Sequence, residues 1–319
     1  MSRNKDILTS DQVYRRQRQG VWPTTAGDIS ADGIYSAWFV GGTGATFVST
    51  IDKLSVTSET RSVSPAFLPT ARNRLSGIAG NNRGWFGGGE QTTGVASTIE
   101  RLDFSAESVS TSPARLSVAR RSLSATDGNN FGWFGGGGTF PGQSSYVDRL
   151  SFSSESVTLS PATLSASKAY LSAVSGNSFG WFAGGFIGPS PISSIDKINF
   201  LTETRTTSSA ALSIARGGMA STVGNSLGWF AGGSAGPYRS TIDRLNFSTE
   251  SVSVSPATLS AATNDTTATY GNGFGWIGGG LVSGAVSTIS KLNFSTDTIS
   301  TSTATLSIAR DNLTSTNSI

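Results

Sequence analysis

The chain has 319 residues, of which 13% are charged and 36% hydrophobic, with a formal net charge of +3. It contains neither cysteine nor histidine. That excludes disulfides, thiolate metal sites, thiol nucleophiles and histidine-based triads, and it removes the commonest zinc ligand.

Residues 1–24 carry Arg3, Lys5, Arg15, Arg16 and Arg18 against Asp6 and Asp11, so the whole formal excess lies here and the remainder is neutral. A basic arm on a neutral body is unlike a nucleic-acid-binding face, which places a basic stripe on the folded surface. No apolar run approaches the ~20 residues of a membrane span. The opening Met-Ser-Arg-Asn-Lys-Asp lacks the apolar core of a secretion signal. Asp6 to Arg18 is compatible with a short helix, but Ile7, Leu8 and Val13 make a sparse apolar face. Two readings stand for the segment. It is a flexible leader, or an anchor in which Arg15, Arg16, Arg18 and Trp22 order on a partner.

From about residue 25 a repeat runs to the end, keyed to Gly-Trp-Phe-x-Gly-Gly. Its six tryptophans, Trp38, Trp85, Trp133, Trp181, Trp229 and Trp276, are spaced by 47, 48, 48, 48 and 47 residues. So regular a period means one supersecondary unit repeated. The third copy shows the plan. Arg120 to Thr126 predicts a first strand, Asp127-Gly128-Asn129-Asn130 a turn, and Phe131 to Phe134 a second strand stopped by Gly135 to Gly138. A variable loop, Thr139 to Ser145, leads to a third strand over Tyr146–Phe152. Ser153-Ser154-Glu155 turns into a fourth strand, Ser156–Leu159, which Pro161 ends.

Four short strands per repeat predict an all-β, six-bladed β-propeller with four-stranded blades over residues 25–319. In Ile242-Asp243-Arg244-Leu245-Asn246-Phe247 apolar groups fall on both faces, as expected for blades packed on both sides. The chain stops at Leu313-Thr314-Ser315-Thr316-Asn317, a good first strand with no second strand after it. The stretch before Trp38, Gly27 to Asp32, is a poor first strand. Residues 310–319 are therefore expected to supply the innermost strand of the first blade and to close the ring.

The order of basic residue, strand, Gly-Asn turn, aromatic, Gly-Gly, acid-bearing strand and last strand resembles the kelch repeat over residues 25–319. Trp85 and Trp181 sit where kelch repeats usually have tyrosine. The kelch tryptophan of the fourth strand is absent, with Val109, Val157 and Val252 nearby instead. The texture also resembles Ser/Thr/Gly-rich virion and tail proteins of marine tailed phages.

A basic residue opens the first strand in five repeats: Arg72, Arg120, Lys168, Arg216 and Arg310, with Thr263 in the sixth. The kelch resemblance places that end near the central channel, where a ring of cations would suit an anionic glycan. A structural alternative pairs them with the acids that open the third strand: Asp52, Glu100, Asp148, Asp196 and Asp243. The repeat lacking the base, at Thr263, also lacks the acid, at Ser290. The pairs would be Arg72–Glu100, Arg120–Asp148, Lys168–Asp196 and Arg216–Asp243, with Arg310 reaching Asp52 by ring closure. Each base must cross the second strand, about 10 Å by two inter-strand spacings.

The tryptophans read as packing between blades. The glycine pairs are not phosphate loops, because no Gly-Lys-Ser/Thr follows them. The variable loops carry Phe47, Phe140, Phe186-Ile187 and Tyr238-Arg239, candidates for ligand contact if exposed, or loop packing if not. Glu107, Glu155, Glu203 and Glu250 fall in turns and read as solvated. Paired carboxylates could still hydrolyse glycosides. Six-bladed sialidases resemble the architecture, but their Ser-x-Asp-x-Gly-x-Thr-Trp box is absent, and Ser30-Ala31-Asp32-Gly33 is off register.

The expectation is a non-enzymatic phage virion protein without cofactor or metal, associated with a tail or fibre. It would anchor to other virion proteins through residues 1–24 and present its loop face to a host-surface glycan or a neighbouring subunit, including copies of itself. The alternatives are a capsid or neck decoration protein without receptor role, and a glycan-degrading propeller enzyme. No nucleic-acid partner, membrane insertion or secretion is expected.

Overall fold

The computed structural model describes residues 36–318. The leader with Arg15, Arg16, Arg18 and Trp22, and the Ser30–Gly33 stretch, lie outside these residues. The described chain forms six four-stranded antiparallel sheets arranged as the blades of a propeller. In blade 2 the strands are Ser76–Gly80, Arg83–Gly87, Thr98–Asp103 and Ser108–Arg115, from the axis outward. Blade 1 is built from both ends of the propeller. Thr314–Ser318 pairs with Ser36–Val40, setting Thr316 opposite Trp38 and Ser318 opposite Ser36. The closing strand also packs beside the inner strands Ser76–Gly80 and Thr267–Gly271, which completes the ring.

The apolar core is divided into six parts, one in each cleft between neighbouring blades. Trp38, Leu75, Phe86 and Phe104 fill the cleft between blades 1 and 2. Phe39, Leu54, Trp276 and Leu313 fill the one that closes the circle. Each tryptophan lies on the second strand, and five of them meet a phenylalanine of the next blade. The ring centroids of Trp38 and Phe104 are 5.6 Å apart, and those of Trp85 and Phe152 are 5.8 Å apart. No blade buries its faces alone, so stability resides in the neighbour contacts.

Local backbone chemistry fixes the blade geometry. Asn81-Asn82 and Asn129-Asn130 have φ of 53°, 58°, 54° and 65°, the paired left-handed conformation that turns a two-residue hairpin with the twist of its strands. The glycine pair serves a different purpose. Gly89 N–H donates to Arg120 O of the next blade at 2.9 Å, and a Cβ on Gly88 would come within 2.4 Å of that same carbonyl. The equivalent bond recurs at every blade boundary, from Gly42 to Arg72 through Gly280 to Arg310. The pair is an inter-blade staple that only glycine admits.

Three sequence expectations change in detail. The inner strand of blade 3 is Ser124–Gly128, so Arg120 precedes it by four residues. The backbone of Arg121 bridges Gly138, and Ser122 has a φ of 53°, so neither continues the ladder. The loop at Thr139–Ser145 holds a small hairpin, Gly138–Thr139 with Gly142–Gln143. The fourth strand of blade 3 ends at Leu159, two residues before Pro161. In blades 1, 2 and 5, however, Pro65, Pro113 and Pro256 lie inside the outer strands Thr60–Phe67, Ser108–Arg115 and Ser251–Thr258. An outer strand has one unpaired edge, and the register shifts there, so the missing N–H costs no ladder bond.

Candidate functional site

The inner strands converge on the axis, and the connections leading into them share one face with the loops that carry the glycine pairs. Three layers of polar chemistry follow: two at this end of the molecule, and one between the blades toward the opposite end, where the third and fourth strands are joined.

The deepest layer is the set of bases and acids singled out by the repeat. Arg72 Nη2 lies 2.8 Å from Glu100 Oε1, Lys168 Nζ 3.1 Å from Asp196, Arg216 Nη2 3.0 Å from Asp243, and Arg310 Nη2 2.9 Å from Asp52. Arg120 pairs with Asp148 in the same way. The side chains are 0–2% exposed. Each arginine reaches across the end of the second strand. Arg120, Arg216 and Arg310 donate to the carbonyls of Phe134, Phe230 and Phe39 on the way. Burial lowers the pKa of all four arginines that carry such a pair with aspartate or glutamate, Arg72 among them, and of Lys168, while the facing acid pulls it back up. The acids do a second task. Asp52, Asp148, Asp196 and Asp243 accept the backbone N–H of Ser307, Ser117, Ser165 and Ser213, in the connection between blades. Blade 2 has Pro69 at that position, with no N–H to give, and its acid is the longer Glu100, which accepts from Thr111 instead. Side chains enclosed in this way cannot present a cationic ring to a ligand.

The second layer was not foreseen. The turn acids are not solvated: they join neighbouring blades. Lys53 pairs with Glu107 at 2.6 Å, Lys197 with Glu250 at 2.5 Å and Lys291 with Glu59 at 2.5 Å. Arg101–Glu155, Arg149–Glu203 and Arg244–Asp297 complete a ring of six half-buried pairs. A serine of the outer strand, such as Ser64 or Ser302, donates to the second carboxylate oxygen. These acids have φ of 46° to 54°, a strained conformation held by the contacts they make.

The third layer lies at the channel mouth. Two residues after each deep base or its equivalent stand Arg74, Ser122, Tyr170, Gly218, Asp265 and Asn312, one per blade. All six have φ between 50° and 68°. Each donates its N–H to the carbonyl of the preceding one at 2.8–2.9 Å, and the last bond returns from Arg74 to Asn312. The result is a closed ring of six backbone hydrogen bonds around the axis. A cavity of about 150 Å³ is lined by these six residues and by the starts of the inner strands that follow them. While the framework repeats, these six side chains all differ. That variation at one fixed phase of the repeat is the signal by which sequence reasoning could have found them.

Charge is unevenly divided at this mouth. Arg74 is 3.0 Å from Glu90, and Arg121 contacts the same carboxylate. Asp265 and Asp311, on the other side, have no cation within ion-pair distance among the described residues. Asn312 stands between the two sides: its Oδ1 accepts from Arg74 Nε at 3.4 Å, and its Nδ2 donates to Asp265 at 3.4 Å and Asp311 at 3.0 Å. Burial, reinforced by Asp311, pushes the Asp265 carboxyl up to about 6, against the opposing influence of Arg74 and Asn312.

The loop candidates are spread around the rim of this face. Phe140 is 87% exposed at the tip of its hairpin. It flanks a cleft shared with Val95, Val118 and Ala119. Phe47, Tyr238 and Arg239 are half-buried. Phe186 is half-buried too, edge-on to Tyr170 with centroids 6.1 Å apart, and so links the rim to the channel mouth.

The class defined by this architecture is the all-β six-bladed propeller with a polar channel mouth. No protein-family model and no curated protein sequence matches the chain. Among solved structures, the "Structure of YjhT" is similar, with a TM-score of 0.70 and 13% identity over 82% of this chain and 96% of that one. At that identity the likeness extends to the fold alone.

Proposed function

We propose that the protein is a non-enzymatic binding propeller of a phage virion, kelch-like in its repeat. It is held to a tail or fibre partner by residues 1–24, and its loop face is turned to a host-surface glycan or a neighbouring subunit. The observation that carries the binding role is the division of labour among the side chains. Those that recur in every blade are engaged in inter-blade or intra-blade bonds. Those that vary are gathered on one face, where Phe140 stands exposed beside an apolar cleft. A rigid scaffold presenting variable loops is the usual form of a recognition surface. The virion assignment rests on the resemblance of the repeat texture to marine phage proteins.

The test is binding of the purified full chain to host-cell polysaccharide. Phe140→Ala is expected to weaken it by roughly five- to thirty-fold, the range of an aromatic hot spot. Release of reducing ends from the polysaccharide would replace this reading with that of a glycan-degrading enzyme. Loss of residues 1–24 is expected to abolish incorporation into particles while leaving polysaccharide binding intact.

A further inference from the structure

In blades 2 to 6 the first and second strands are joined by a turn of two residues, and each turn opens on an asparagine: Asn81, Asn129, Asn177, Asn225 and Asn272. The residues that follow are Asn82, Asn130, Ser178, Ser226 and Gly273, so Asn272-Gly273 is the one Asn-Gly pair in the sequence. The turn does not require that glycine. Blades 4 and 5 hold Ser178 and Ser226 in its place at φ of 66° and 61°, against 79° for Gly273.

The surroundings leave this turn open to reaction. Asn272 and Gly273 are both exposed. A Cβ on Gly273 would meet nothing within 4 Å. The N–H of Gly273 donates to no group among the described residues, and its carbonyl is held only by Phe294 N at 3.3 Å. The carboxamide of Asn225, in the neighbouring blade, is tied down by donating to Phe294 O at 2.8 Å. Asn272 makes no side-chain hydrogen bond among the described residues. An untethered carboxamide therefore stands next to a backbone nitrogen that no side chain shields, on a residue free to rotate. Asparagine is a thermolabile residue, and here neither burial nor hydrogen bonding protects it.

We propose that Asn272 is a site of spontaneous deamidation in the folded protein. The Gly273 nitrogen attacks Cγ of Asn272 and a C–N bond forms. The Cγ–Nδ2 bond breaks, and the Gly273 amide proton leaves with the ammonia. Water then opens the cyclic imide at either carbonyl, giving aspartate or isoaspartate. Both products add a negative charge. Isoaspartate also inserts a carbon into the backbone of a turn whose geometry depends on its pair of left-handed residues. The damage falls on blade 6, which has Thr263 and Ser290 in place of the buried base and acid. It also lies beside Gly271, whose carbonyl accepts from Trp276 Nε1 at 3.1 Å. None of this depends on what the propeller binds.

The test is incubation of the full chain at pH 8.5 and 37 °C, both folded and in urea, with peptide mass spectrometry of every turn asparagine over time. In the folded protein Asn272 is expected to deamidate at least fivefold faster than Asn81, Asn129, Asn177 and Asn225, with isoaspartate among the products. Gly273→Ser is expected to lower the rate to that of the turns of blades 4 and 5, whose serines show that this turn accepts the substitution. A rate at Asn272 no greater than at the other turns overturns the proposal. So does deamidation in urea alone, which would mean that the fold protects the turn, or an unchanged rate in the Gly273→Ser variant.

Discussion

Arg310 and Asp52 are 258 residues apart in sequence and 2.9 Å apart in the structure, with both side chains fully buried. The pair ties the strand that arrives last to the third strand of the first blade. It is also part of a network, since Asp52 takes two hydrogen bonds from Ser307 and Arg310 donates to Phe39 O. Removing one partner of a buried pair leaves an uncompensated charge. Asp52→Ala and Arg310→Ala should each cost about 3–5 kcal/mol. The double variant should cost much less than their sum, and urea denaturation of the four proteins of the cycle measures the coupling.

Blade 6 lacks this device, with Thr263 and Ser290 in place of the base and the acid. Thr263 instead donates to Ala261 O. Hydrogen exchange should therefore show the backbone of Thr288–Asn293 opening before its counterpart Thr241–Asn246 in blade 5. Thr263→Arg alone should destabilise by burying an unpaired charge. Adding Ser290→Asp should recover most of that loss.

The ring of turn acids obeys different physics because it is half-exposed. Lys197 and Glu250 retain 15% and 32% of their side-chain surface. Pairs of this kind contribute about 0–1 kcal/mol and are screened by salt. Glu250→Gln should cost less than Asp243→Asn in dilute buffer. Its cost should shrink toward zero in about 1 M salt, whereas that of Asp243→Asn should persist.

Asp265 imposes a pH dependence of opposite sign to the usual carboxylate. Its folded-state pKa is raised from 3.8 to about 6, chiefly by burial and then by Asp311. Between those values the native state keeps a proton that the unfolded chain has released. Stability from this group therefore falls as pH rises through that window and levels off above it. Asp265→Asn should gain on the order of 1–2 kcal/mol at pH 7.5, allowing for screening at a half-buried site, and nothing at pH 4. Glu59 works the other way. Its hydrogen bond to Lys291 lowers its pKa despite partial burial, so its contribution is kept at neutral pH and lost as pH falls below the ordinary carboxylate range.

The architecture is readable from the chain because one large residue marks each blade. Trp38 to Trp276 recur every 47 or 48 residues, and the unpartnered strand after Leu313 shows where the circle closes. The buried bases and acids can be matched because blade 6 lost both at once. The ring of turn acids offers no such exception. Lys53 and Glu107 have counterparts in all six blades, so periodicity alone gives no partner, and a Ser/Thr/Glu turn looks like any solvated one. The channel mouth is hidden for the reverse reason. Arg74, Ser122, Tyr170, Gly218, Asp265 and Asn312 share a backbone conformation and no chemistry, so nothing in their side chains marks them as one set until the blades are placed around an axis.

The closure itself has a direct measurement. Ser36 and Ser318 face each other across the first two strands of blade 1, with Ser36 N–H donating to Ser318 Oγ at 3.2 Å. The chain has no cysteine, so a Ser36→Cys/Ser318→Cys variant carries only these two thiols. Treatment of the dilute folded protein with a short bifunctional thiol reagent, followed by mass spectrometry, should give one intramolecular link joining the two ends of the propeller in most molecules. Links only between molecules, or two thiols that react independently, would mean that the last strand does not complete the first blade.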